Sequence, residues 1–171
     1  MSGSDNSRLA VVVLGAGEGK RMRSDTPKAL HPVCGRPMIE YVLDGVASLG
    51  AGEVVLVVGP RADDLRNVAG KDVRFAEQGE ALGTGHAVKV ALENLDEVFE
   101  EILVLPGDSP LIRGETLQGL VGARRDGDAA AALLTAEIED PGGYGRVLRD
   151  ASGEVKKIVE EADATDAERA V

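Results

Sequence analysis

Four apolar runs of strand length, interleaved with segments of helical spacing, constrain this chain more than any other feature. "RLAVVVLG" (8–15), "EVVLVVG" (53–59), "VRFAEQ" (73–78) and "EILVLPGD" (101–108) carry the aliphatic and β-branched side chains of buried strands. Each reads as buried on both faces, as a central parallel strand should be. "PMIEYVLDGVASLG" (37–50) enters on Pro37 and leaves on Gly50, with Met38, Tyr41, Val42 and Val46 near one helical face. "TGHAVKVALENL" (84–95) and "GETLQGLVGARRDG" (114–127) predict two more helices. This alternation predicts an α/β fold: a Rossmann-like open, mostly parallel sheet with helices on both faces. "AAAALLTAEIED" (129–140) reads as a fifth strand that ends at a turn within "DPGGYGRVLRD" (140–150), and "EEADATDAERAV" (160–171) as helix or frayed tail. No internal repeat is visible.

Composition then removes whole classes of function. Tyr41, Phe75, Phe99 and Tyr144 are the only aromatic side chains, too few for a platform that stacks single-stranded bases. A net charge of −11 opposes general polyanion binding, so no nucleic-acid partner is expected. The single cysteine, Cys34, excludes an intrachain disulfide and a Cys-based zinc cluster. The polar start "MSGSDNSRLA" lacks the apolar core of a signal peptide, and no apolar run is long enough for a membrane helix. The expectation is a cytoplasmic protein without a membrane partner. Its 171 residues suit one α/β domain over 8–171 after a flexible N-terminus, 1–7.

The first strand stops at a glycine cluster, "GAGEGKRMR" (15–23). A dinucleotide fingerprint would need glycine where Lys20 stands, and Pro27 cuts any long helix beginning there. A P-loop would need Ser or Thr after Gly19-Lys20 and glycine in place of Leu14; Arg21 follows instead. What is left is a glycine loop carrying Lys20, Arg21, Arg23 and Lys28. Its backbone N–H groups can approach a phosphate closely because no Cβ intervenes. On spacing alone it reads equally well as a strand-to-helix turn with solvated charges.

The spelling separates the two readings. "LGAGEGKRMRSDTPKALHPVCGRPMIEYVLD" (14–44) resembles the signature of sugar-phosphate nucleotidyltransferases. "PKALHPVCGRPM" is similar to one branch, the bacterial UDP-N-acetylglucosamine pyrophosphorylases, the N-terminal half of a bifunctional uridylyltransferase/acetyltransferase. "ALGTGHA", "LPGDSPLI", "DPGGYGRV" and "IVEEADAT" continue the likeness in the family's order along nearly the whole chain. The resemblance implies a nucleotide-diphospho-sugar transferase fold and transfer of UMP from UTP to N-acetylglucosamine 1-phosphate, a step in cell-wall precursor synthesis.

The same resemblance implies roles for individual residues. Leu14, Gly15, Ala16 and Gly17 would line the uridine end, and Arg21 and Lys28 would be the catalytic pair gripping the triphosphate. Gln78 would read uracil, since an amide donates and accepts together. Gly83 and Thr84 would touch the ligand at a helix start, and His86 reads as structural within that helix. Asp108, with Pro106 and Gly107 beside it, would bind substrate and hold Mg²⁺, at the strand end where open α/β sheets place their ligands. Gly145 and Glu160 would meet the N-acetylglucosamine portion.

The likeness is imperfect at four positions. Gly15 stands where the family usually has Ala, Lys20 where it has Thr, Ala81 where Gln is frequent, and Pro106 where Tyr is frequent. The chain also ends before the family's Asn-Thr-Gly strand, its second metal ligand and its β-helix. It is therefore expected to be an incomplete uridylyl domain without acetyltransferase activity, and to form a homo-oligomer only if the further domain is present. Two other outcomes remain at this stage: a nucleotidyltransferase for another sugar or alcohol phosphate, and a nucleotide-binding fragment without turnover.

Overall fold

The strand β1 (Leu9–Leu14) is hydrogen-bonded in parallel along both edges, to β4 (Glu53–Val58) on one side and β6 (Glu101–Pro106) on the other. A computed structural model describes residues 7–17, 19, 22–24, 26–60, 63–127 and 129–171. β5 (Arg74–Glu77) completes a four-stranded sheet of order β5-β4-β1-β6, all parallel. This is the α/β architecture that the four apolar runs predict.

Alternation along β1 explains how both faces are covered. Leu9, Val11 and Val13 point into one core with Leu56 and Val58 of β4 and Leu103 and Leu105 of β6. Ile39, Val42 and Val46 of α1 (Met38–Ala47), Leu65 of α2 (Asp63–Ala69) and Leu117 of α4 (Gly114–Asp126) close that core. Val12, Val55, Val57 and Ala76 face the other way, against Ala87 and Ala91 of α3 (Thr84–Glu93). Each fully buried Val or Leu contributes about 1.5–3 kcal/mol, so the sheet's centre is the main reservoir of stability.

Coverage is incomplete on one strand. β6 was expected to be buried on both faces, but Ile102, Val104 and Pro106 are exposed while Leu103 and Leu105 are buried. The cause is positional. Among the described residues β6 is an edge strand, and the buried side chains of α3 pack over β1, β4 and β5 instead.

The chain divides into two compact units, Met1–Ala130 and Ala131–Val171. In the second, β7 (Arg146–Arg149) and β8 (Val155–Val159) form an antiparallel hairpin, and α5 (Asp166–Arg169) follows. Thr165 caps α5 reciprocally with Glu168. Buried Arg146 ties this unit together by donating to Pro141 O at 3.0 Å and pairing with Glu161 at 2.9 Å. The fifth strand expected at 129–140 is not formed: residues 131–140 carry no strand and are exposed throughout. An apolar run becomes a strand only when a neighbouring ladder takes its N–H and C=O groups, and among the described residues no strand pairs with it. The turn expected in 140–150 is present, with Tyr144 N–H donating to Pro141 O at 3.0 Å, but Arg146–Arg149 continue as strand. No helix of the described residues is long and apolar enough to cross a membrane.

Candidate active site

Parallel strands end together, so the loops leaving β1, β5 and β6 meet along one edge of the sheet. Leu14 and Pro106 are register partners at the last step of the β1–β6 ladder. Beyond them, Gly15 N–H donates to Val57 O at 2.8 Å and Gly107 N–H to Leu14 O at 2.9 Å. The strand order turns back here: β4 and β5 lie on one side of β1 and β6 on the other, leaving a crevice at the point of reversal.

A cleft of about 770 Å³ opens there. Leu14, Gly15, Ala16, Gly17 and Lys28 form one wall, Gln78, Gly83 and Thr84 another, and Pro106 and Asp108 a third. Gly107 is buried behind the last wall, where a Cβ would come within 2.9 Å of Leu14 O. Gly15 is similarly confined, for a Cβ would lie 2.9 Å from Leu56 Cδ1 and 3.0 Å from Val57 O. The loop can hug the end of β4 only because that position has no side chain. Arg21 lies outside the described residues. Gly145 and Glu160 belong to the second unit, where they are neighbours: a Cβ on Gly145 would stand 3.7 Å from Glu160 Oε2.

Lys28 is fixed from its C-terminal side. It begins a short 3-10 helix, Lys28–Leu30, whose Ala29 is buried in the larger core. The chain then makes a two-residue hairpin, β2 (Pro32–Val33) and β3 (Arg36–Pro37), that is clamped to α1. Arg36 reaches Glu40 at 2.5 Å and Asp44 at 2.6 Å, and Tyr41 Oη donates to Val33 O at 3.0 Å. The hydrogen bond from Arg36 holds the Asp44 carboxyl below its ordinary range. A loop pinned in this way delivers its lysine to a defined place.

Across the cleft, Lys28 Nζ forms an ion pair with Asp108 Oδ2. Both side chains are about one-third exposed, at 38% and 28%, so solvent screens the pair and either partner can turn to a ligand. The strand that leads into Asp108, β6, is anchored at its opposite end. Glu101 accepts from Arg125 Nε at 2.8 Å and from Arg124 at 3.0 Å. The Arg125 hydrogen bond holds its carboxyl below the usual range despite burial.

Gln78 is the buried polar side chain of the cleft. Its N–H donates to Val58 O at 2.8 Å, continuing the β4–β5 ladder. Its side-chain amide nitrogen meets Gly83 O at 3.3 Å and His86 Nδ1 at 2.9 Å. Sequence reasoning placed His86 in the helix but not its contact with Gln78, because only the chain reversal at 79–83 brings them together. It also missed Met22, Ala29, Ala87 and Val104 in the lining. For Val104 a signal existed: it lies two residues before Pro106, on the same face of β6.

Among the described residues Asp108 is the only carboxylate lining the cleft, and no group of three or more His, Cys, Asp or Glu side chains could cage a metal. That donor set suits a hard cation held by one carboxylate and completed by ligand oxygens and water. A cation of that kind would take the place Lys28 Nζ now occupies beside the carboxylate.

The profile of the MobA-like NTP transferase domain matches residues 11–168. The chain belongs to this family. Along 95% of its length this NTP transferase is similar to the bifunctional protein GlmU of Sorangium cellulosum (strain So ce56), at 50% identity over 171 residues. It spans 36% of that curated relative's length. The resemblance read from the motifs is thereby borne out. Among solved structures, HddC from Yersinia pseudotuberculosis complexed with GMP-PN shares the fold, with a TM-score of 0.65 and 23% identity over 88% of this chain and 68% of that one. Rv0371C from Mycobacterium tuberculosis H37Rv, in complex with manganese, aligns with a TM-score of 0.52 and 25% identity over 67% of this chain and 58% of that one. A relative of this NTP transferase thus binds a divalent metal.

Proposed function

We propose that this NTP transferase catalyses UMP transfer from UTP to N-acetylglucosamine 1-phosphate, giving UDP-N-acetylglucosamine and pyrophosphate. The observation that carries the reading is one cleft in which a glycine loop, a lysine, a carboxylate and a fixed amide meet. Those four features supply what a nucleoside triphosphate asks for: close backbone approach, a mobile cation, an anchor for a divalent ion and a base-reading group. The motif resemblance to UDP-N-acetylglucosamine pyrophosphorylases and the identity with GlmU support the choice of uridine and of this sugar phosphate.

In this reaction a phosphate oxygen of the sugar 1-phosphate attacks the α-phosphorus of UTP. The bond from that phosphorus to the bridging oxygen breaks, and pyrophosphate leaves with the electron pair. The protein's part is alignment and charge neutralisation. Lys28, released from Asp108, places a compact positive charge on the phosphates as charge shifts toward the leaving group. Arg21 is proposed to share that task. Leu14 to Gly17 line the uridine end and Gln78 addresses the base. Asp108 would hold Mg²⁺, which when bound neutralises phosphate charge. Gly145 and Glu160 are proposed as sugar contacts.

Pyrophosphate release measured across UTP, CTP, ATP and GTP, each with several sugar and alcohol phosphates, tests the reading. The expected outcome is turnover confined to UTP with N-acetylglucosamine 1-phosphate. Turnover with a different pair reassigns the substrate, and UTP binding without turnover with any acceptor overturns the catalytic claim.

A further inference from the structure

The hydrogen bonds around Gln78 fix which half of its amide a ligand can meet. Gly83 O can only accept, so the group facing it must be the amide nitrogen, at 3.3 Å. The same nitrogen lies 2.9 Å from His86 Nδ1. A nitrogen that spends one hydrogen on Gly83 O offers its second to the ring, so Nδ1 must accept and the ring proton must sit on Nε2. Gly83 O is itself held in place: φ of +99° turns it back, and it accepts Ala87 N–H at 3.1 Å as the first bond of α3. Both amide hydrogens are thereby spent. Oε1 takes no hydrogen bond from any described residue, and the side chain that bears it lines the cleft.

We propose that His86 is a positioning residue that makes Gln78 a pure hydrogen-bond acceptor toward the nucleobase and so sets the preference for uridine over cytidine. The inference rests on the uridine reading of the cleft given above. Uracil presents an N3–H donor in the middle of its pairing edge, which Oε1 accepts. Cytosine presents a lone pair at that atom, which an oxygen repels. Without an acceptor at position 86 the amide keeps one free hydrogen, and a small rotation lets it offer that hydrogen to cytosine N3. His86 is absent from the lining of the cleft, so it acts through Gln78 rather than on the ligand.

The test compares the whole chain with its His86→Phe and His86→Asn variants. UTP and CTP affinities are measured by calorimetry, and ¹⁵N spectra of the wild-type histidines are recorded where the ring is neutral. Phe fills the space without accepting, whereas Asn restores an acceptor near the Nδ1 position. Loss of one hydrogen bond predicts a UTP-over-CTP ratio lower by about fivefold in His86→Phe, mostly through tighter CTP binding, and largely recovered in His86→Asn. The wild-type His86 Nδ1 is expected to be unprotonated. A protonated Nδ1, or an unchanged ratio in His86→Phe beside a selective wild type, overturns the positioning role alone. Loss of selectivity in both variants alike reduces His86 to a packing residue. A wild-type chain that binds UTP and CTP equally overturns the uridine reading, and the present inference falls with it.

Discussion

Replacing Asp108 by Asn separates the two things this carboxylate does. In the unliganded cleft it pairs with Lys28, a pair open enough to solvent that its net worth is about 0–1 kcal/mol. The amide keeps the shape and loses the charge. At about 2–4 °C per kcal/mol for a chain of this size, the melting temperature should move by no more than about 4 °C. Free of its partner, Lys28 should meet triphosphate more readily, so metal-free UTP binding should tighten by up to about fivefold. Turnover should behave oppositely. Removing the one carboxylate that the described residues bring to the cleft takes away the protein's charged anchor for a divalent ion, and Mg²⁺-supported pyrophosphate release should fall about 10²–10³-fold. Calorimetry with and without Mg²⁺, a thermal melt and a pyrophosphate assay read all three quantities. Full turnover at limiting Mg²⁺ would refute the metal role. Weaker metal-free UTP binding would refute the claim that Asp108 holds Lys28 back.

Gly15→Ala restores the residue its resembling family usually carries, yet the added Cβ falls 2.9 Å from Leu56 Cδ1 and 3.0 Å from a β4 carbonyl. It should destabilise by about 1–3 kcal/mol in urea denaturation, and an unchanged midpoint would show that the loop yields freely. Glu101→Gln should cost about 1.5–3 kcal/mol near neutral pH, because it replaces charge-assisted bonds from Arg125 and Arg124. The folded Glu101 carboxyl titrates below its ordinary value. Its contribution is therefore complete above the unfolded value of about 4.3 and disappears as pH falls through the lowered one. Denaturation midpoints of wild type and variant should converge in acid, and a gap that persists there would sink the ion-pair account.

The sheet was legible in the sequence because aliphatic runs of strand length leave little choice: β1, β4, β5 and β6 all lie inside the predicted segments. The open face of β6 was not legible. A run such as "ILVLP" is apolar at every step, and whether a helix covers Val104 depends on where α3 crosses the sheet. The apolar stretch at 129–140 misled for the complementary reason, since composition announces a strand but not a partner to pair with. α2 went unread because "DDLRNVA" buries only Leu65, and β2 and β3 because two-residue strands carry no periodicity. At the site, the glycine loop and Asp108 were marked by their spelling. The role of His86 was invisible, being a property of a reversal that brings Gly83 and the first turn of α3 against the end of β5.

The ladder between Leu9 and Glu101 has a consequence for synthesis. β1 is made first, emerges as one of the most apolar segments of the chain, and gains its second neighbour only when β6 follows. Until then one edge of its backbone stays open, the arrangement that invites pairing with a stranger. Pairing with β6 closes a loop about twice as long as the one joining β1 to β4, at an added entropy cost of about 0.6 kcal/mol. Asp108 lies two residues beyond the end of β6, and Lys28 long before it. The cleft is thus a readout of the finished sheet: its sides meet only once β6 is in place, and a nucleotide bound there as proposed would tie β6 to β1.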